Sequence, residues 1–481
     1  MELTLRGHED RYAVEQLMLA LFPESGGTAV STLSRGKTWI TAGAAVTLDG
    51  RTSRASRRIK TSEESVRLRR RALQQAFYAA ALPLLPGAPP WGALAGVRPT
   101  KITSKYLSEG HTPKEADRLL KDVYYVTPER RRLAVDCSLA TLRAKEPLLP
   151  EDISLYVGIP FCPTRCAYCS FVSRGIGKKT ELVEPYLTAL TKEIRFTASL
   201  LASSGRRVRT VYIGGGTPTS LSADQLRQLM GKVAQCFDLS RLEEYTVEAG
   251  RPDCTDLEKL QVLKEYGATR ISINPQTFED EVLAHIGRRH TAEDIRRCFY
   301  DARQAGHRNI NMDLIAGLPG DTEEGFARSL EQAIALEPEN ITVHTLTLKR
   351  ASSLVIDHSQ EDYADVAAML EHCDALNKAG YVPYYLYRQK NTLQNLENIG
   401  WCKPGYEGYY NIYIMEEVHS ILSAGAGGST KLRQPGCGEH IERIFNYKYA
   451  NEYINGFDVI LERKRGIGEF YGRYLDSQTS G

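Results

Sequence analysis

The middle third of the chain alternates short apolar, β-branched runs with amphipathic stretches. Six runs stand out: "ISLYVGI" from 153, "TVYIGG" from 210, "EYTVEA" from 244, "TRISIN" from 269, "INMDLIAG" from 310 and "ITVHTLTL" from 341. Several are apolar on both faces, as strands buried inside a parallel sheet are. Residues 181–201 have helical spacing, and helix-start signals stand at "SADQ" (222–225), "TDLE" (255–258) and "DTEE" (321–324). Each sets a small polar residue three positions ahead of a Gln or Glu that can reach back to it. Strand–helix alternation at about 30 residues per unit signals parallel βαβ units. Six units, not eight, predict an α/β fold with a partial (β/α)6 barrel; a doubly wound sheet is the competing topology.

The flanks pattern differently. Ahead of the barrel, "TWITAGAAVTLDGRTSRASRRI" reads as a hairpin with "LDG" near its turn, and residues 62–82 read as a helix. "LPGAPPWGALAGVRP" (85–99) reads as a Pro/Gly-rich linker, helical pieces follow from 113, and "KEPLLPED" (145–152) marks the boundary before the barrel. Behind it, residues 360–380 pattern as a helix and "GYVPYYLYRQK" (380–390) as a strand, followed by a Tyr-rich loop and "SAGAGGSTKL" (423–432). No internal repeat is evident beyond the βα units.

At 481 residues the chain exceeds one ordinary core, so two or three domains are expected. Its 42% hydrophobic and 25% charged residues are those of a soluble globular protein. No apolar run of about 18 residues offers a membrane span, and the N-terminus lacks a signal-peptide pattern; the expectation is a cytoplasmic monomer. The net charge of +2 is uneven: residues 1–150 hold 24 Lys+Arg against 15 Asp+Glu, a balance of +9, leaving −7 for the rest. The excess sits at "RTSRASRRIK" (51–60), "RLRRR" (67–71) and "ERRRL" (129–133). A solvated face accounts for it plainly; an anionic ligand or RNA is the functional alternative. The aromatic interleaving of RNA-binding motifs is not evident there, so nucleic acid is not the expected partner.

Of ten cysteines, seven (137, 236, 254, 298, 373, 402 and 437) are scattered singly, as small apolar fillers in a large non-disulfide chain are. Cys162, Cys166 and Cys169 are clustered in "YVGIPFCPTRCAYCSF" (156–171). Thiolates bind soft metals, which points to zinc or iron–sulfur. A structural zinc site needs a fourth ligand, and none is near. Spacings of three and two residues without a fourth cysteine suit a [4Fe–4S] cluster with one iron open, and the loop follows the first strand at its C-terminal end, where βα folds place chemistry. Later strand ends carry polar groups: "GGGTPT" (214–219), Glu248, Gln276, Asp313, His344 and Thr347. Together they build one polar mouth.

"CPTRCAYC" resembles the CxxxCxxC signature of radical S-adenosylmethionine (SAM) enzymes. With "YIGGGTPT", "TVEAGRPD", "RISINPQTF" and "NMDLIAGLPGDT" it is similar to the oxygen-independent coproporphyrinogen III dehydrogenase family over roughly 150–345, with a weaker extension to about 430. The basic N-terminal region and "GVRPTK" (96–101) resemble the branch with an extra N-terminal domain. The domains implied are a basic α+β domain (1–147), a radical SAM partial barrel (148–350) and a substrate-covering C-terminal extension (351–481).

The resemblance implies a [4Fe–4S] cluster on the three cysteines, its open iron chelated by SAM. An electron from the cluster then cleaves SAM to a 5′-deoxyadenosyl radical that abstracts hydrogen from substrate. It assigns Tyr156, Gly215, Gly216, Thr217 and Glu248 to SAM; Gln276, Arg288 and Asp313 fall at ligand positions of a second SAM, with Tyr168 and Thr347 alongside, so one or two SAM molecules are implied. An isolated arginine on a helix is ordinarily just solvated, but the twelve-residue spacing of Arg288 from Gln276 fits the family. The implied reaction is oxidative decarboxylation of two coproporphyrinogen III propionates, with a tetrapyrrole substrate and a redox partner. Arg388 and the basic N-terminal region are candidates for propionate binding. One departure stands out: two residues before Pro160 the family usually has His, and this chain has Gly158. A haem-chaperone-like protein without dehydrogenase activity is the alternative, and an RNA-modifying enzyme a second.

Overall fold

The computed structural model describes every residue except 24–25, 97, 170–173, 176–179, 203, 350–351, 357–362, 435–439 and 479–481, and leaves the side chains of Arg174, Thr180, Ile356 and 474–478 undescribed. Cys437 lies outside the described residues. The chain forms two compact units, Met1–Leu139 and Ala140–Gly481, divided inside the helix Pro128–Lys145.

In the first unit, β1 (Glu2–Arg6), β2 (Thr28–Arg35), β3 (Trp39–Leu48) and β4 (Arg51–Lys60) form one sheet in that order, β1 parallel to β2 and the rest antiparallel. The expected hairpin joins β3 to β4 through Asp49 and Gly50, both left-handed (φ 49° and 74°), the backbone that a tight hairpin turn requires. Alternation then decides the faces. Ile40, Ala42, Ala44 and Val46 are buried with Val14, Leu17, Leu73 and Phe77 of the helices Arg11–Leu21 and Val66–Ala81, while Arg54, Ser56, Arg58 and Lys60 face outward. The basic run is therefore a solvent-facing strand edge. Residues 91–94 of the Pro/Gly-rich stretch pack rather than extend: Trp91, Ala93 and Leu94 are buried, and Ala93 N–H donates to Tyr124 O. The helices Thr100–Ser108 and Pro113–Tyr124 follow; the first has no signal in the pattern.

In the second unit, all six expected strands are present: β5 (Asp152–Ile159), β8 (Arg207–Gly215), β9 (Glu244–Glu248), β10 (Arg270–Ser272), β11 (Ile310–Ala316) and β12 (Asn340–Thr345). They are parallel neighbours in chain order, the partial barrel expected. The two-residue strands β6 (Phe161–Cys162) and β7 (Arg174–Gly175) pair with each other around the cysteine loop. Helices return the chain between strands: Val183–Leu201, Ala223–Cys236, Leu257–Glu265, Ala292–Gln304 and Glu323–Ala335. Ser222 and Gln225 form the expected capping box, but two starts sit one residue later than read: Asp256, not Thr255, caps through Lys259 N–H, and Thr322, not Asp321, caps through Gly325 N–H.

Past β12, residues 366–371 and 374–378 form two short helices where one was expected. Next, β14 (Glu397–Cys402) pairs antiparallel with β12, and β13 (Val382–Arg388) pairs antiparallel with β14 at the edge of the sheet. The Tyr-rich segment is a helix, Tyr409–Glu416, not a loop. Then β15 (Ser420–Ala424) returns to the far edge as a seventh parallel strand beside β5, followed by antiparallel β16 (Ser429–Arg433) and β17 (Ile441–Phe445). Among the described residues no ladder joins β13 to β17. The C-terminal helix Phe457–Gln478 packs on Val183–Leu201 through a fully buried ion pair, Lys464 Nζ to Glu193 Oε1 at 3.0 Å. Gly425 N–H, Asn446 Nδ2 and Tyr453 O–H also donate to that carboxylate. No helix among the described residues is long and apolar enough to cross a membrane.

Candidate active site

One cavity of about 600 Å³ opens at the C-terminal ends of the parallel strands. Cys162 and Cys166, both buried, and the half-buried Cys169 line it, none in a disulfide. The loop that carries them is pinned: Ala167 N–H donates to Ile286 O (3.0 Å) and Cys169 N–H to Cys166 O (3.1 Å). Each sulfur has its own neighbour. Thr217 O–H donates to Cys162 Sγ (3.4 Å), Arg251 Nη1 to Cys166 Sγ (3.4 Å), and the Lys349 ammonium lies in the field of Cys169. Among the described residues no three His, Cys, Asp or Glu converge on a point that would hold a single metal ion. That is compatible with an iron–sulfur cluster, whose cysteines bind different irons and therefore stand farther apart than the ligands of one ion.

The glycine segment serves the loop as well as any ligand. Gly216 N–H donates to Ile159 O and Thr217 N–H to Phe161 O, both at 2.7 Å. A Cβ on Gly216 would stand 2.4 Å from Phe161 O, so only glycine lets β8 lie this close to the cysteine loop. Gly215 (φ 112°) and Tyr156 share this wall, and Tyr156 stacks with Tyr212 and Tyr410 (centroids 6.2 and 6.4 Å). Glu248 accepts a 2.6 Å hydrogen bond from Tyr212 O–H. Burial, and the charge of Asp313, push its carboxyl up to about 7 against the Tyr212 bond.

Opposite stand Gln276, Arg288, Asp313 and Thr347. Gln276 holds a left-handed backbone (φ 70°) and continues the pairing of β10 with β11 beyond the ladder, its N–H donating to Asp313 O and its carbonyl accepting from Ile315 N–H. A buried non-glycine residue in that region is strained, a feature that gathers at functional sites. Asp313 accepts from Asn311 Nδ2 (2.7 Å) and faces His344 Nε2 at 3.7 Å. Burial alone would raise its carboxyl, but His344 and Asn311 hold it below the ordinary value. Arg288 is more engaged than a lone ligand: its guanidinium donates to Asn274 O (2.6 Å), Gly250 O (3.3 Å) and Tyr168 O–H (3.1 Å), bracing three loops.

Of the fourteen residues assigned to cluster, SAM or substrate from sequence, thirteen thus line one cavity. Arg388 does not. It is buried beside β14 and donates Nη2 to Asn395 O (3.2 Å), and burial lowers its guanidinium to about 10. The cations on the cavity wall are Arg251, Arg270, Arg288, Lys349 and Lys431. Arg270 is 1% exposed, and its Nε and Nη2 have no hydrogen-bond partner. A period-two signal could have revealed it: Arg270 and Ser272, Asn311 and Asp313, and Thr342 and His344 are alternate polar positions in otherwise apolar strands, all on the cavity.

A family model described as the radical SAM superfamily matches residues 156–333. The chain is 42% identical over 381 residues to an oxygen-independent coproporphyrinogen-III oxidase-like protein, HemZ, of Bacillus subtilis (strain 168), covering 78% of this chain and 76% of that one. It is 41% identical over 345 residues to the heme chaperone HemW of the same organism, covering 67% and 88%. In structure it resembles the radical SAM coproporphyrinogen III oxidase HemN of Escherichia coli, with a TM-score of 0.54 and 26% identity over 67% of this chain and 72% of that one. The cysteine loop, the parallel strand ends and this overlap agree: the chain belongs to the radical SAM superfamily, in its coproporphyrinogen-oxidase-like family.

Proposed function

We propose that the protein catalyses oxidative decarboxylation of coproporphyrinogen III propionates to vinyl groups, giving protoporphyrinogen IX. The supporting observation is Arg270, a buried guanidinium on the cavity wall with two N–H-bearing nitrogens unpartnered. A buried unsatisfied cation is costly, and a ligand carboxylate satisfies it in the bidentate geometry guanidinium favours. A propionate-bearing substrate supplies that group.

In this reading Cys162, Cys166 and Cys169 hold a [4Fe–4S] cluster with one open iron, and Tyr156, Gly215–Thr217 and Glu248 hold SAM against it. Together these cofactors supply a carbon-centred radical able to take hydrogen from an unactivated β-carbon, which no side chain in water can do. Each propionate then loses one hydrogen atom, CO₂ and one electron to an external one-electron acceptor, which balances the conversion to vinyl. The chain's part is orientation and exclusion of water. Tyr156, Tyr212 and Tyr410 wall the cavity with flat apolar area, Arg270 fixes a carboxylate, and Asp313 with His344 presents an anionic acceptor across from it. Gln276, Arg288 and Asp313 are also the candidate contacts for a second SAM.

Anaerobic reconstitution with iron, sulfide, SAM, a low-potential reductant and coproporphyrinogen III tests this, with tetrapyrroles separated by mass. The expected product is protoporphyrinogen IX. SAM cleavage without it sinks the dehydrogenase reading and leaves the radical class standing. A haem-carrying role is the second reading, favoured by the overlap with the heme chaperone and by Gly158, where no side chain stands. Stoichiometric haem binding without turnover would support it. The RNA reading has little support in the basic sheet face, where Trp39 is an exposed aromatic at one corner.

A further inference from the structure

Arg251 lies in "EAGRPD", a stretch that sequence reading used only for Glu248. It is 3% exposed, and its fork is fully committed. Nε and Nη2 donate to Asp253 Oδ1 (2.8 Å) and Oδ2 (2.7 Å). Nη2 also donates to Thr164 Oγ1 (2.9 Å), and Nη1 points at the cysteine loop, donating to Thr164 O and to Cys166 Sγ (both 3.4 Å). Pro252 opens the short turn Pro252–Cys254, whose restricted backbone brings Asp253 round to grip an arginine two residues earlier. His290 Nδ1 stands 3.7 Å from Asp253 Oδ1 on the far side. Burial alone would raise the Asp253 carboxyl; nearby His290 and the bonds from Arg251 pull it well below the ordinary range, so the guanidinium is held against a lasting anion.

Such a brace exceeds what loop folding needs, since the backbone bonds of Ala167 and Cys169 already fix the turn. What it adds is a positive N–H at one cysteine sulfur. We propose that Arg251 is a positioning residue that sets the reduction potential of the cluster held by Cys162, Cys166 and Cys169, through its N–H···S contact to Cys166. The proposal rests on the reading that this loop holds a [4Fe–4S] cluster.

The sign follows from charge. A cubane of core charge 2+ on three thiolates carries −1, and one electron from an external reductant takes it to −2. A cation at a ligand sulfur favours the more negative state, and low local dielectric strengthens the effect. Arg251 therefore raises the potential, while Asp253 behind it offsets part of that rise. Arg288 and Lys349 add charge from the other side, on Tyr168 and near Cys169, so the effect of Arg251 is a share of the field.

Opposed substitutions separate this from a structural role. Arg251→Gln removes the charge; Asp253→Asn keeps the arginine and removes its countercharge. Each variant is reconstituted anaerobically without SAM, its iron and sulfide are counted, and its midpoint potential is read by EPR-monitored titration with dithionite and mediators. The expected result is a normal cluster, shifted to more negative potential in Arg251→Gln and more positive in Asp253→Asn, with Arg251→Lys between Gln and the unsubstituted protein. Unchanged potentials, or shifts of the same sign in Gln and Asn variants, overturn the proposal. If Arg251→Gln does not load iron, the sign in Asp253→Asn decides. If both stay folded by circular dichroism but load none, the contact is a brace and the proposal fails. Failure of the unsubstituted protein to bind a cluster would instead refute the reading on which this rests.

Discussion

Glu248 offers a test of the site that needs no product. Its carboxyl is pushed up to about 7, principally by burial, where an ordinary glutamate titrates near about 4.3. Tyr212 donates to Oε1; in the proposed SAM-bound state the carboxylate also accepts from SAM, and only the ionised form accepts without competing as a donor. With a pKa of about 7, the ionised fraction falls from about 0.9 at pH 8 to about 0.1 at pH 6. Apparent SAM affinity should therefore weaken about tenfold over that interval, about 1.4 kcal/mol, whereas an unshifted carboxylate would change it by only a few per cent. In the ligand-free protein the sign is opposite. A raised carboxyl contributes stability that is fully present below its ordinary value and lost as pH rises through about 7. The assay is anaerobic titration calorimetry of the cluster-loaded protein with SAM at pH 6, 7 and 8, with Glu248→Gln alongside. The substitution should weaken binding at pH 8 and abolish most of the pH dependence. A flat profile in the unsubstituted protein, or an unaltered slope in Glu248→Gln, refutes the reasoning.

Two further outcomes follow from the surrounding structure. Lys464→Met leaves the Glu193 carboxylate buried without its cation, which should cost about 3–5 kcal/mol in chemical denaturation, and Lys464→Met with Glu193→Gln should cost less than the sum of the singles; additive losses would mean the pair is not coupled. The left-handed Gln276 should make Gln276→Gly melt at or above Gln276→Ala, because alanine keeps a strain of about 1–2 kcal/mol that glycine releases; a lower-melting glycine variant would show that the backbone there is not strained.

The sheet was legible where strands are β-branched, apolar and bounded by turns, and all six such runs are strands. The cysteine loop was legible because its ligands are adjacent in sequence. What escaped depends on distant partners. The helix Tyr409–Glu416 begins with "YYNIY", aromatic and β-favouring, and has no local cap. Its first N–H groups, of Tyr409 and Tyr410, are capped by the Glu244 carboxylate of β9 (2.6 and 3.4 Å). The strand β15 is the five-residue "SILSA", directly followed by a glycine-rich turn, and its partner β5 lies 267 residues earlier in the chain. Asp256 and Thr322 outcompete Thr255 and Asp321 as caps because backbone geometry one residue on decides which oxygen reaches the amide. Arg251 was hidden for the same reason: its role exists only once Cys166, 85 residues away, is folded against it.

Gly158 shows how such distant fits bear on function. A Cβ there would stand 3.0 Å from Ala426 O and 3.6 Å from Ala424 O, so the space a longer side chain would take is already filled by the segment following β15. That segment cannot easily retreat. Gly425 N–H donates to Glu193, Ala426 N–H to Tyr186 O–H (both 2.8 Å), and a Cβ on Gly425 would itself meet Gly158 O at 2.4 Å. The two glycines are thus fitted to each other. In an open strand, Gly→Ala stabilises by about 0.4–1 kcal/mol, whereas overpacking a closed site costs about 1–3 kcal/mol. With the segment held on both sides, overpacking should win, and Gly158→Ala should lower the melting temperature, Gly158→His more so. A Gly158→Ala variant that melts higher would show that the 424–426 backbone yields. If it does not yield, a side chain at position 158 needs a compensating change in the segment after β15.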